Sequence, residues 1–242
     1  RDSFQAWLPA RLALRERVDV SSEWQVLSLS LRAALVGTLI DIPVALALSW
    51  LIVKRRVPGR VVLETLGMLP LALPPVVSGY FLLLLFGSSG LGPSLDRLGL
   101  QVTFTWLAVA LAAGLVSFPL MLRAMMVAMA GVDRRLELAA RNLGAGPWRV
   151  FTTITLPLAY RGVLAGVLLA FVRGLSEFGA TIVVAGNIPG RTQTMPLAIY
   201  SRLQVGDDAA AVRLVLVSVA VAVLSLLAHN YLLARTRRHE AW

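Results

Sequence analysis

The side chains able to do chemistry are few, and most stand in apolar surroundings. Arg173 and Glu177 lie four residues apart inside a hydrophobic run, with Ser176 between them and Thr181 just beyond. On a helix that spacing puts both charges on one face, where they neutralise each other. An isolated charge at the centre of a membrane helix costs about 2.5–3.5 kcal/mol, so each charge needs the other, or water. Two readings follow. The pair is structural, or it lines a gate or pathway that offers a cation, small residues and hydroxyls to an anion. A second such stretch, LPLALPPVVSGY, holds Pro70, Pro74, Pro75 and Ser78. Prolines remove backbone donors and bend helices, which a membrane tolerates only where other groups or a cavity satisfy the freed carbonyls. That stretch is either a packing kink or a broken helix beside a pathway.

Familiar catalytic groupings do not occur. The two histidines, His229 and His239, lie near the C-terminus, and no HExxH run exists. Without cysteine there is no disulfide framework, thiolate or Cys-based metal site. Ser176 has no histidine at matching depth, and no Gly-rich Lys loop of the ATP-binding kind is present. The chain is therefore read as non-catalytic, with no metal-binding residues. The methionine cluster Met121, Met125, Met126 and Met129 reads as helix packing.

The elements that carry these residues are membrane helices. The chain has 242 residues, 57% of them hydrophobic, and a mean hydropathy of +0.76. Several apolar runs exceed the length needed to cross a bilayer. The formal net charge of +10 does not point to nucleic acid, because the basic residues cluster at the ends of apolar runs. An all-α integral membrane protein with about five transmembrane helices is expected. The spans fall near Trp24 to Val53, Val61 to Phe86, Phe104 to Met129, Gly162 to Gly186 and Ala209 to Ala234. Residues 87–103 read as loop, 187–194 as a Pro/Gly turn region, and Pro196 to Gln204 as a short helix. Asp41, deep in span one, is expected to be bonded to a neighbouring helix. Residues 1–23 form a tail or an interfacial helix, and 239–242 a C-terminal tail. The first residue is Arg rather than Met, so the start is expected to be trimmed, and no signal-peptide layout is present.

One long stretch lacks a membrane-grade apolar core: Asp133 to Pro157, DRRLELAARNLGAGPWRVFTTITLP. Asp133 can cap a short helix and Glu137 adds negative charge near its positive end. Gly144 stands where a left-handed stop is wanted. Leu136, Ala139, Ala140 and Leu143 recur at helical spacing, so one face is small and apolar while Arg134, Arg135 and Arg141 point elsewhere. The stretch is a docking knob or a plain basic loop.

Ala139-Ala140, Gly144 four places on, and Ile154-x-Leu156-Pro157 resemble the signature loop of importer-type ABC permeases. In that family the loop forms a coupling helix seated in a cleft of the ATP-binding subunit. The resemblance implies that Glu137, Ala139, Ala140, Gly144, Ala145, Ile154 and Pro157 couple this chain to such a subunit. Glu137 stands one residue before the family's Glu, a rotation of about 100° on a helix, and Leu138 occupies that slot. The stretch around Pro74, Pro75 and Ser78 is similar to molybdate-type permeases. So is the run from Arg173, Ser176, Glu177 and Thr181 through Asn187-Ile188-Pro189-Gly190 and Thr192-Gln193-Thr194-Met195-Pro196, with sulfate permeases less close. The likeness covers about residues 24–238.

The resemblance implies the transmembrane permease of an oxyanion importer, with molybdate first and sulfate or thiosulfate as the alternative. A secondary transporter or channel is the more remote rival. It further implies a homodimer in a bacterial inner membrane, two ATP-binding subunits carrying ATP and magnesium, and a periplasmic substrate-binding protein. No cofactor is expected in this chain. A cytoplasmic coupling loop between spans three and four puts the N-terminus outside. The charges agree: segments 54–60, 123–149 and 235–242 hold twelve Lys/Arg, whereas 87–103 and 187–208 hold three. The tail, with four more, fits less well. Since cysteine is absent, single substitutions report sidedness cleanly. Gly59→Cys is expected to react with an impermeant thiol reagent only from the cytoplasm, and Ser89→Cys only from outside. Labelling of both from one side would sink the five-span topology.

Overall fold

Apolar runs become helices in lipid because a helix satisfies its backbone groups within one segment. The computed structural model describes residues 7–55 and 57–237, with side chains for 23–55 and 57–231. The outer parts of both tails, 1–6 and 238–242, lie outside the described residues. In chain order, α1 (Trp7–Trp50) passes into a π turn (Leu51–Arg55), followed by α2 (Arg60–Ala72), α3 (Pro75–Phe86), α4 (Gly92–Arg97) and α5 (Trp106–Ala130). Then come α6 (Arg134–Asn142), α7 (Pro147–Val150), a second π turn (Phe151–Thr155), α8 (Leu156–Leu175), α9 (Gly179–Val184), α10 (Met195–Gln204) and α11 (Asp208–Arg237). Among the described residues there is no strand.

Among the described residues four helical stretches are long and apolar enough to cross a membrane: Glu23–Arg55, Trp106–Ala130, Pro147–Leu175 and Asp208–Tyr231. Helices α2 and α3, bent by 111° at their junction, make a fifth if counted as one span. At about 1.5 Å per residue the 44 residues of α1 extend about 66 Å, roughly twice a ~30 Å hydrocarbon core. The helix thus runs on past its apolar stretch into the segment before Glu23.

The expected span two is broken in the middle. Leu73 and Pro74, each preceding a proline, are extended (ψ 144 and 136), because a following proline disfavours the helical region. Pro75 then opens α3, where a missing N–H costs nothing. The expected span four needs correction. Its helix begins at Pro147, continuous with the loop, and stops at Leu175 rather than at Gly186. Ser176 ends α8, and the Glu177 carboxylate accepts the Ala180 N–H at 2.8 Å, which starts the separate α9. Part of the expected loop 87–103 is the short helix α4.

Helix α5 sits at the centre, packed against α1, α2, α3, α8 and α9. Ala108, Ala110, Ala112, Met121, Leu122, Met125 and Met129 are fully buried on it. The methionines fill a layer with Ala45, Phe151, Ala159, Val163 and Ala170. Where α1 crosses α5, Gly37 lies against the backbone of Ala110 and Gly114. In lipid, close approach of small residues replaces hydrophobic drive between helices. A Cβ on Gly37 would run into Ala110 and Gly114 backbone atoms, and overpacking of this kind costs about 1–3 kcal/mol. Gly37→Leu is therefore expected to lower the melting temperature of the detergent-purified chain by at least about 4 °C. Gly131→Ala, whose added methyl meets only ordinary contacts, shifts it by less than about 2 °C.

Candidate functional site

Two groups of residues stand out, one at each end of α8. The first is the loop helix. The Asp133 carboxylate accepts the Arg135 N–H at 2.8 Å and caps α6. At the other end Gly144 takes φ 86, its N–H bonds Arg141 O and the Ala145 N–H bonds Ala140 O. These two bonds make a glycine-terminated helix stop that uses up the last carbonyls. On α6 leucines and arginines alike are exposed. Leu136 (49% exposed), Leu138 (44%) and Leu143 (89%) face out, Ala139 is exposed and Ala140 half-buried. Glu137 is buried instead. Its carboxylate meets Lys54 Nζ at 3.0 Å and accepts the Thr155 hydroxyl at 2.7 Å. Ala145 and Ile154 are half-buried. Pro157 is exposed and shares with Leu136 a groove of about 730 Å³.

The second group forms where two helix breaks meet. Glu177 carries one oxygen 3.1 Å from the Arg173 guanidinium and the other on the Ala180 N–H. The Ser176 hydroxyl donates to Arg173 O at 2.9 Å. Gly79 of α3 abuts the Ala180 backbone, and Pro75 abuts Gly179. Pro74 caps α3 from outside, exposed. Ser78 and Thr181, beside that contact in sequence, are buried, and their hydroxyls have no partner among the described residues. Glu177 is sealed (side chain 2% exposed) while Arg173 is 29% exposed. Arg173 and Ser176 line a groove of about 490 Å³ with Leu120, Met195, Ile199 and Ser218. The break thus hides an anion and shows a cation to a mainly apolar cleft.

Residues 157 and 173 lie about 24 Å apart along α8, so the structure does not bring the two groups together. Sequence reasoning missed both partners of Glu137. Lys54 read only as one base of a basic loop, and Thr155 only as a filler in the Ile154-x-Leu156-Pro157 run. Asp41 departs from expectation. Its carboxylate lies against Gly114, and one oxygen is buried without a hydrogen-bond partner among the described residues. Trp50, Trp148 and Phe151 cluster at the loop end of the bundle, rings 5.4–6.3 Å apart. At the opposite end Arg32 stacks on Trp106 at 4.1 Å.

Comparison with known proteins bears on the chain as a whole. Residues 41–238 match the family model described as "Binding-protein-dependent transport system inner membrane component". The chain is 47% identical over 222 residues to the molybdenum transport system permease protein ModB of Escherichia coli K12, covering 90% of this chain and 96% of that one. It is 42% identical to the ModB of Haemophilus influenzae, covering 89% and 96%. Identity to the sulfate transport system permease protein CysT of Escherichia coli K12 is 37%, covering 86% and 76%. Among solved structures, an amino acid ABC transporter crystallised with histidines overlays with a TM-score of 0.60 at 17% identity, covering 94% and 97%, a likeness of fold alone. With a family model matched over most of its length, an all-helical bundle of four to five spans and a capped loop helix ahead of α8, this chain belongs to the binding-protein-dependent transport system inner membrane components, the permeases of ABC transporters.

Proposed function

We propose that this chain is the transmembrane permease of an ATP-driven molybdate importer. The observation that carries the substrate is the 47% identity to a molybdenum permease across 90% of the chain, against 37% for a sulfate permease. Sulfate or thiosulfate is the second reading, supported by that more distant sulfate permease; a secondary transporter or channel is the more remote one. The permease is a multi-pass component of the bacterial inner membrane with its N-terminus outside. It works as a homodimer with two ATP-binding subunits, which carry ATP and magnesium, and a periplasmic protein that delivers the oxyanion. No cofactor resides in this chain.

The chain's own part is mechanical and electrostatic. The outward Leu136 and Leu143, at i and i+7 and so on one side of the loop helix, give it an apolar face of the sort that seats in a partner. Ala139, Ala140, Gly144, Ala145, Ile154 and Pro157 complete that docking surface. At the far end of α8, Arg173 offers a guanidinium suited to a tetrahedral dianion, with Ser176, Thr181, Ser78, Pro74 and Pro75 as the frame of the pathway or gate. Glu177 keeps Arg173 oriented and orders α9. ATP-driven closure of the partner subunits draws the two α6 helices together and opens the outer side; hydrolysis resets it. The complex purified with its binding protein is expected to retain molybdate in preference to sulfate, measured by elemental mass spectrometry. Retention of sulfate alone would reverse the assignment.

Two substitutions test the two ends. Gly144→Asp puts a side chain at φ 86 in open space, so the isolated permease is expected to lose no more than about 4 °C in Tm. Its binding to the ATP-binding subunit weakens at least about tenfold, a loss of ~1.4 kcal/mol. Unchanged binding and transport would remove the case for docking through this helix. For the pair, single mutants mislead, because Arg173→Met strands a buried carboxylate at a cost of about 3–5 kcal/mol. The double variant Arg173→Met with Glu177→Gln keeps an acceptor for the Ala180 N–H. It is expected to fold and assemble, yet to import at roughly a tenth of the normal rate, the size of one lost charge-assisted contact. Normal uptake by the assembled double variant would return the pair to scaffolding.

A further inference from the structure

Both π turns of the described chain deliver a polar side chain to the same atom. Lys54 lies in the turn that ends α1, and Thr155 in the turn that opens α8. The Lys54 ammonium and the Thr155 hydroxyl both reach Glu137 Oε1, at 3.0 and 2.7 Å. Lys54 also donates to Val132 O at 3.1 Å, just ahead of the α6 cap. Side-chain exposure is 9% for Lys54 and 5% for Glu137. The two turns are packed together as well, since Trp50 and Phe151 stack at 5.4 Å. A π turn changes helix register locally and is found disproportionately at functional positions. Here both turns converge on one carboxylate, the buried side chain of α6 between the exposed Leu136 and Leu138.

We infer that Glu137 is an internal pin rather than a contact to the ATP-binding subunit. It fastens α6 to α1 through Lys54 and to α8 through Thr155. A displacement of α6 is then carried into two spanning helices at once, one of which holds Arg173 in its last turn. Glu137, Lys54 and Thr155 are positioning residues in this scheme, and none touches the transported anion. The inference rests on the docking role proposed for α6. A pin of this kind governs how much transport each ATP yields, whereas a brace that served stability alone would alter only how much complex assembles.

The test uses the full complex in proteoliposomes, measuring ATP hydrolysed per anion imported, with molybdate as probe and sulfate in a parallel arm. Lys54→Met is expected to leave binding of the ATP-binding subunit unchanged and to raise the ratio at least about tenfold, the equivalent of one lost hydrogen bond to a charge. Thr155→Val removes a single hydroxyl and is expected to raise it about twofold; it decides the matter where Lys54→Met does not assemble. Exchanging the charges, Lys54→Glu with Glu137→Lys, is expected to bring the ratio back towards the unmodified value. Unchanged ratios in the Lys54 and Thr155 variants would overturn the pin. So would loss of subunit binding in Glu137→Gln with normal binding in Lys54→Met, since Glu137 would then face the partner. Absence of anion-stimulated hydrolysis in the unmodified complex overturns the docking role and the pin with it.

Discussion

The close crossing of α1 and α5 at Gly37 and Gly114 is the contact on which the rest of the bundle depends. Lipid tails give apolar helices no reason to prefer each other, so association comes from contact area at short range. Glycine and alanine supply it by letting backbones approach. Gly37 meets Ala110 and Gly114, and Gly174 of α8 faces Ala113 and Ala34 a little further along. Three helices therefore meet through small residues. Arg173, one residue from Gly174, owes its position to this crossing.

The same solvent forbids open backbone. A helix break inside a membrane must be covered by protein or line a water-filled cavity. This chain covers two breaks with each other. The extended Leu73-Pro74 pair leads into α3, whose Gly79 rests on Ala180 just beyond the second break. Glu177 supplies the acceptor that starts α9, and Arg173 neutralises it. The polar apparatus thus serves a structural need while leaving the guanidinium partly uncovered at a groove.

At the other end of the molecule a surface helix departs from the ordinary rule at one position. Helix α6 turns leucines outward and a glutamate inward. Apolar exposure of that kind suits an interaction surface. The inward glutamate needs compensation, since a buried carboxylate without partners is costly. Lys54 and Thr155 provide it, and in doing so join the loop to the spans on either side.

How much of this was readable beforehand depended on the range of the interactions. Local ones were legible: the Asp133 cap, the left-handed stop at Gly144, the proline break at Pro74 and Pro75, and the i, i+4 pairing of Arg173 with Glu177. Span existence was legible too, because run length alone decides it. The end of span four was not. Hydropathy stays high through Ile182 and Val184, and apolarity cannot distinguish a helix that continues from one that stops and restarts. Asp41 and the Glu137 partners escaped for a different reason. Whether a buried carboxylate is met by an ammonium, a hydroxyl or only the backbone of a glycine depends on which distant helix lies across from it. The sequence by itself determined the helices, the cap and stop of the loop helix, and its stripe of small and apolar residues. Only the packing of α1, α5 and α8 decided what each buried charge would meet, because those contacts join residues that no helical period connects.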